Sequence, residues 1–158
     1  MRILAVGAHP DDLEIYAWGS LSAWAAMGAE LVLAIATDDA AGGRAVPSQL
    51  AQRCAAEATA AAAALASTPV FLDFADGGLS TEHRLVPRLV ALIDEVAPDL
   101  LISHAPNDYH ADHRALSIAA SQACGFSVPF LEMDTMGGTG FAPNIWVDVT
   151  PHWTAKSA

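Results

Sequence analysis

Four short apolar runs, each followed by a stretch with helical spacing, constrain this chain more than any other feature. The runs are Ile3 to Ala8, Leu31 to Ala36, Val70 to Phe74 and Leu100 to Ser103. None alternates apolar with polar residues as a strand with one wet face would, so each reads as a strand buried on both faces. Strand and helix alternating four times predict an α/β fold: a Rossmann-like, three-layer αβα sandwich around a mostly parallel sheet. A length of 158 residues with 53% hydrophobic content suits one domain spanning 1–158, and no repeat or linker divides it.

The helices between the strands carry recognisable signals. The first is expected from about Asp12 to Met27, ended by Gly28. Pro47 and Ser48 open an alanine-rich helix to about Ala66, favoured by alanine's propensity. Asp76-Gly77-Gly78 turns the chain after the third strand, and Ser80 or Thr81 caps a helix with Leu85, Leu89, Leu92, Ile93 and Val96 on one side. Pro98-Asp99 stops it, and a further helix follows His113 to roughly Ala123. Phe126 to Met133 and Ile145 to Val149 read as additional strands, with a glycine-rich loop from Met136 to Gly140 between them.

Charge and cysteine content exclude several function classes. A formal charge of −11 with no Lys/Arg run disfavours nucleic acid and anionic membranes. Cys54 and Cys124 lack CxxC spacing, which indicates neither a disulfide framework nor a thiolate metal site, and makes a reducing, cytoplasmic setting the expectation. The apolar N-terminus is interrupted by His9-Pro10-Asp11-Asp12 too early for a signal peptide, and no segment reaches membrane-spanning length. Neither Gly42-Gly43 nor Gly137-Gly138 belongs to a GxGxxG fingerprint, and the acidic first loop would repel phosphates, so a nucleotide binder is disfavoured.

Two clusters carry the chemistry. Ala8-His9-Pro10-Asp11-Asp12-Leu13-Glu14 sits where the first strand gives way to a helix, and it offers imidazole and carboxylate donors together, a combination suited to a divalent metal such as zinc. His110-Ala111-Asp112-His113 follows the fourth strand. Carboxyl ends of parallel strands face one way, so His9 and His113 are expected to converge on one crevice. Taken alone, Asp11 and Asp12 would equally serve as a capped helix start, and His110 and His113 as surface histidines. Surface or loop roles are expected for His83, His104 and His152, and a helix-surface or loop-tethering role for Glu14.

The AHPDDLE stretch after the first strand, Pro98-Asp99, Ser103-His104 and Asn107-Asp108-Tyr109-His110-Ala111-Asp112-His113-Arg114 together resemble the LmbE-like or PIG-L family of zinc-dependent N-deacetylases. Arg53 and Glu57 and the stretch Val147-Asp148-Val149-Thr150 extend the resemblance. It implies hydrolysis of an N-acetyl group on an amino sugar or related glycoconjugate, a small-molecule substrate. Position by position, it implies that His9, Asp12 and His113 hold zinc, with iron(II) or another divalent ion as the alternative, and that Asp11 is the general base. That assignment agrees with general chemistry: the metal acidifies a water and polarises the amide carbonyl while Asp11 takes the proton. His110 would stabilise the oxyanion, with Asp112 keeping it charged and oriented. Arg44 and Arg53 are candidates for gripping substrate, although Arg53 and Glu57 at i, i+4 equally suit a surface ion pair.

Members of the family usually continue past the position of Lys156 into a helix bearing a further His and Gln. A shortened pocket wall and self-association into a homo-oligomer are the corresponding expectations. Two other functions fit the same motifs: hydrolysis of another small amide, and a catalytically idle metal- or ligand-binding module.

Overall fold

The structure, a computed structural model, describes residues 1–43, 45–134, 140 and 142–157. Five strands form its sheet: β1 (Arg2–Gly7), β2 (Glu30–Thr37), β3 (Val70–Phe74), β4 (Leu100–His104) and β5 (Phe130–Met133). Every pair is parallel, in the order β3-β2-β1-β4-β5. The helices are α1 (Trp18–Ala26), α2 (Pro47–Ala63), α3 (Leu85–Val96), α4 (Ala111–Cys124) and α5 (Trp153–Ser157).

The continuous apolar character of the strands has a direct cause, since side chains leave alternate faces of a strand. Leu4 and Val6 of β1 join Leu85, Leu89, Leu92, Leu116 and Ala120 in one core. Ile3 and Ala5 enter the other, with Leu13, Leu21, Leu33, Ala62 and Ile102. Both faces of β1, at the middle of the sheet, are thus dry, as the sandwich requires.

Beyond the four strands the expected boundaries needed correction. The single helix expected from Asp12 is two elements: a π-helical turn at Leu13–Ala17, then α1. Wide i→i+5 turns strain the backbone and tend to occur at functional sites. Lys156, the chain's only lysine, donates from Nζ to the carbonyls of Glu14 and Ile15 at this turn. The cap expected at Ser80 or Thr81 is a 3₁₀ turn, Leu79–Thr81, and α3 begins only at Leu85. Helix α4 starts before His113, not after it, with His110 as its N-cap.

The last third differs most from expectation. Strand β5 covers only Phe130–Met133, because Ser127 turns back onto Cys124 and Phe126 is fully exposed. Ile145 to Val149 forms no strand; a 3₁₀ turn, Thr150–His152, and α5 follow it. The glycine-rich loop expected over 136–140 lies outside the described residues except for Gly140. No helix among the described residues is long and apolar enough to cross a membrane. Cys54 and Cys124 are both free and buried.

Gly19 in α1 lets Val149 seat against the helix. A Cβ there would lie 2.7 Å from Val149 Cγ1 and 2.8 Å from its Cβ, closer than carbon atoms tolerate. Replacing a mid-helix glycine by alanine ordinarily gains roughly 1 kcal/mol. Overpacking of this kind costs about 1–3 kcal/mol, so Gly19→Ala is expected to lower the urea midpoint. A raised midpoint would show that Val149 does not seat on α1.

Candidate active site

The sheet order places β1 beside β4, and the connections leave these two strands in opposite directions. A crevice opens at such a switch point, beyond the carboxyl ends of the strands. His9 and Asp12 follow β1, while His104 ends β4 and the 105–110 loop leads into His110, Asp112 and His113. The two clusters meet there as expected.

Asp12 is at the centre. Its Oδ2 accepts the His9 backbone N–H at 2.7 Å, closing the loop upon itself. The same oxygen lies 3.0 Å from His104 Nε2 and 3.4 Å from His9 Nδ1, while Oδ1 lies 3.2 Å from His113 Nε2. Burial opposes ionisation of this carboxyl, but hydrogen bonding from His104, His113 and His9 outweighs burial and holds it well below the usual carboxylate range. His9 responds in the opposite sense. Burial disfavours its charged form, yet Asp12, then Asp76 and Asp112, push it up to about 9. His113 is likewise raised, against its burial, by Asp12 and Asp108.

His9 Nδ1 and His113 Nε2 face each other at 3.3 Å. The Asp12 carboxylate stands against both, with Oδ2 3.4 Å from His9 Nδ1 and Oδ1 3.2 Å from His113 Nε2. Bonds of about 2.0–2.1 Å to a tetrahedral divalent ion place ligand atoms about 3.3–3.4 Å apart. This donor set therefore fits such an ion. Donors of His9, His110 and His113 also lie within 4.8 Å of one another, as do those of Asp12, His104 and His113, and of His9, Asp76 and Asp112.

A second layer of carboxylates fixes the rings. Asp108, buried, accepts from His113 Nδ1 at 3.0 Å and from the His110 backbone N–H at 2.9 Å. A proton held on Nδ1 leaves the His113 Nε2 lone pair for a ligand. The Asp112 carboxylate accepts from the backbone N–H groups of Gly77 at 2.7 Å and Leu79 at 3.1 Å, bracing the turn after β3. Its link to His110 runs through its own N–H, which donates to His110 Nδ1 at 3.3 Å. The His110 ring stands edge-on to His9 with centroids 4.7 Å apart.

Asp11 stands exposed at the crevice mouth. The protein wall on its inner side desolvates it and Asp12 and Asp39 repel its charge, so its carboxyl is pushed up from the ordinary value. Glu14 is half-buried, and desolvation raises it to about 7. Arg53 makes the surface ion pair with Glu57, 3.4 Å, with both side chains exposed. Arg44 lies outside the described residues.

His104 corrects the sequence reading. It is fully buried, stacks on His113 at 3.8 Å with an interplanar angle of 16°, and faces Asp12. The strand continues one residue beyond Ser103, which carries this imidazole beneath the crevice rather than into the loop. Desolvation lowers its pKa against the pull of Asp12. A histidine at the carboxyl end of an apolar run was the available signal. Asp76 was missed too, because a turn aspartate looks like ordinary turn chemistry.

Fold and site define the class: a doubly wound α/β protein with a buried His/Asp cluster suited to a divalent metal at its switch point. The chain belongs to the PIG-L family, described as GlcNAc-PI de-N-acetylase, whose match covers residues 4–124. This is a family of N-deacetylases. No curated protein matches the sequence. Among solved structures it is similar to the N,N'-diacetylchitobiose deacetylase from Pyrococcus horikoshii, with TM-score 0.88 and 22% identity over 99% of this chain and 67% of that one. GalB, the 4-carboxy-2-hydroxymuconate hydratase from Pseudomonas putida KT2440, gives TM-score 0.83 and 21% identity over 98% and 75%. The zinc-inhibited form of the teicoplanin deacetylase Orf2 gives 0.69 and 22% over 82% and 66%. These likenesses establish the fold, and this chain spans two thirds to three quarters of the length of those proteins.

Two outcomes follow for metal uptake. His9 stays protonated up to about pH 9 in the metal-free protein, so a divalent ion entering at neutral pH must expel that proton. Apparent affinity is expected to weaken as pH falls below 9, and titration calorimetry in buffers of different ionisation heats should register proton release. Equal heats in all buffers would contradict it. Asp108→Asn, which disturbs the His113 tautomer, is expected to weaken metal binding about 10–100-fold in a chelator competition.

Proposed function

We propose that this chain is a zinc-dependent N-deacetylase that removes the acetyl group from the nitrogen of an amino sugar or related glycoconjugate. One observation carries the reading: the ring nitrogens of His9 and His113 stand 3.3 Å apart, each within 3.4 Å of an Asp12 carboxylate oxygen, beside the exposed Asp11 in a PIG-L family chain. Zinc held by these three residues supplies Lewis-acid polarisation of the amide carbonyl and lowers the pKa of water.

The remaining work belongs to the protein. Asp11, its carboxyl raised toward the working range of a general base, takes a proton from water as the water oxygen bonds to the carbonyl carbon. His110 has Nδ1 committed to the Asp112 N–H, so the donor it offers the oxyanion is Nε2–H. Asp112 keeps that ring in place through the helix start it shares with it. The carbon–nitrogen bond then breaks, the leaving nitrogen takes the proton held by Asp11, and acetate and a free amine result. The family resemblance alone offers Arg44 and Arg53 to the polar groups of the substrate, and Arg53 is paired with Glu57 at the surface.

The test is acetate and amine release from N-acetylglucosamine conjugates by the zinc-loaded protein. Asp11→Asn is expected to reduce turnover about 10²–10⁴-fold while retaining the metal. His110→Ala is expected to cost about a hundredfold or more, again without metal loss. Bound zinc with no turnover of any acetamide would leave a metal-binding module in place of the enzyme. The fold shared with GalB supports one other reading, water addition to an unsaturated acid, and hydration of such acids with no amide cleavage would favour it.

A further inference from the structure

His9 presents two ring nitrogens, and only one of them faces Asp12 and His113. The outer one, Nε2, is buried and lacks a well-angled hydrogen bond. Two carboxylates approach it: Asp76 Oδ1 at 3.2 Å and Asp112 Oδ2 at 3.6 Å. Asp112 Oδ2 already accepts the Gly77 N–H at 2.7 Å, so Asp76 is the acceptor better placed for this nitrogen. Buried polar atoms left without partners are rare, and a small turn of the ring would satisfy this one.

Asp76 has a second attachment. Its side chain, only 9% exposed, sits in the turn after β3, and its Oδ2 accepts the Ala41 N–H at 3.0 Å. Its own N–H donates to Asp38 Oδ1 at 3.2 Å, the oxygen that also accepts from Ala40. One carboxylate thus bridges His9 and the 38–43 loop, which brings Asp39 near enough to act on Asp11.

We infer that Asp76 is a positioning residue for His9: Oδ1 takes the His9 Nε2–H, Oδ2 holds the 38–43 loop, and the ring is locked with Nδ1 toward Asp12 and His113. A carboxylate on the outer nitrogen selects the tautomer and prevents the ring from flipping end for end, as carboxylate–histidine pairs do at metal sites. The inference rests on the reading of His9 as a ligand in the proposed zinc site.

The experiment measures zinc affinity of the full chain by chelator competition for wild type, Asp76→Ala and Asp76→Asn. Histidine-¹⁵N spectra of each zinc-loaded form and thermal melts of each zinc-free form accompany it. Asp76→Ala is expected to lose about 10–100-fold in affinity. Asp76→Asn keeps one acceptor oxygen for Nε2–H but sets its amide N–H groups against the Ala41 N–H, so it is expected to recover part of that affinity loss. Wild type should show a slowly exchanging proton on His9 Nε2, absent in Asp76→Ala. Wild-type affinity in Asp76→Ala would overturn the inference. So would equal losses in both variants with matching drops in the zinc-free melts, since that marks a purely structural role. No zinc uptake by wild type would instead overturn the metal-site reading, and the separate arms keep the two failures apart.

Discussion

The Asp12 carboxylate is the interaction on which the rest of the site depends. It is almost wholly removed from water, and a buried charge survives only when it is paired and hydrogen-bonded. Three imidazoles and one backbone N–H supply that compensation. Its position has a backbone cost as well. Glycine at position 7 leaves room for it, because a Cβ there would crowd Asp12 Cβ at 3.0 Å. The π-helical turn at Leu13–Ala17 directly follows, so a strand end, a glycine and an unusual turn all converge on one carboxylate.

Around this centre, the acidic excess of the chain is put to structural use. Asp108, Asp112 and Asp76 each take backbone N–H groups, and each approaches an imidazole. Carboxylates used in this way hold loops and rings at the same time. The rings of His9, His110 and His113 therefore sit on a rigid acidic bed at the switch point, while Asp11 alone among these carboxylates opens to solvent. In the proposed reaction, that contrast separates the group that exchanges protons from the groups that fix geometry. Rigid supports of this kind keep donor atoms within the narrow distances that a small divalent ion demands.

Much of this was legible before the structure was known. Apolar runs at Ile3, Leu31, Val70 and Leu100 specified the strands because a sheet covered on both faces favours apolar residues at most strand positions. The two histidine clusters, each directly after a strand, specified the crevice because parallel strands send their carboxyl ends to one side. Other features had no local signature. The ordinary apolar spacing of Leu13 to Ala17 does not distinguish a π turn from an α turn, which differ by one residue in hydrogen-bond span. Ile145 to Val149 has strand-like composition, yet Val149 packs on α1 at Gly19 and the segment pairs with no strand among the described residues, so tertiary packing overrode propensity.

By itself, then, the sequence determined the layered α/β architecture, the family, and the placement of His9, Asp12, His110 and His113 at a single crevice. Those properties follow from periodicity and from motifs confined to a few consecutive residues. Only the tertiary structure decided which other groups stand against that cluster: His104 stacked beneath His113, Asp108 behind it, and Asp76 reaching His9 from the far side of β2. Hydrogen bonds and Coulomb forces depend on distance in space, and residues 9 and 76 become neighbours only once the sheet has brought β1 and β3 to the same edge of the crevice.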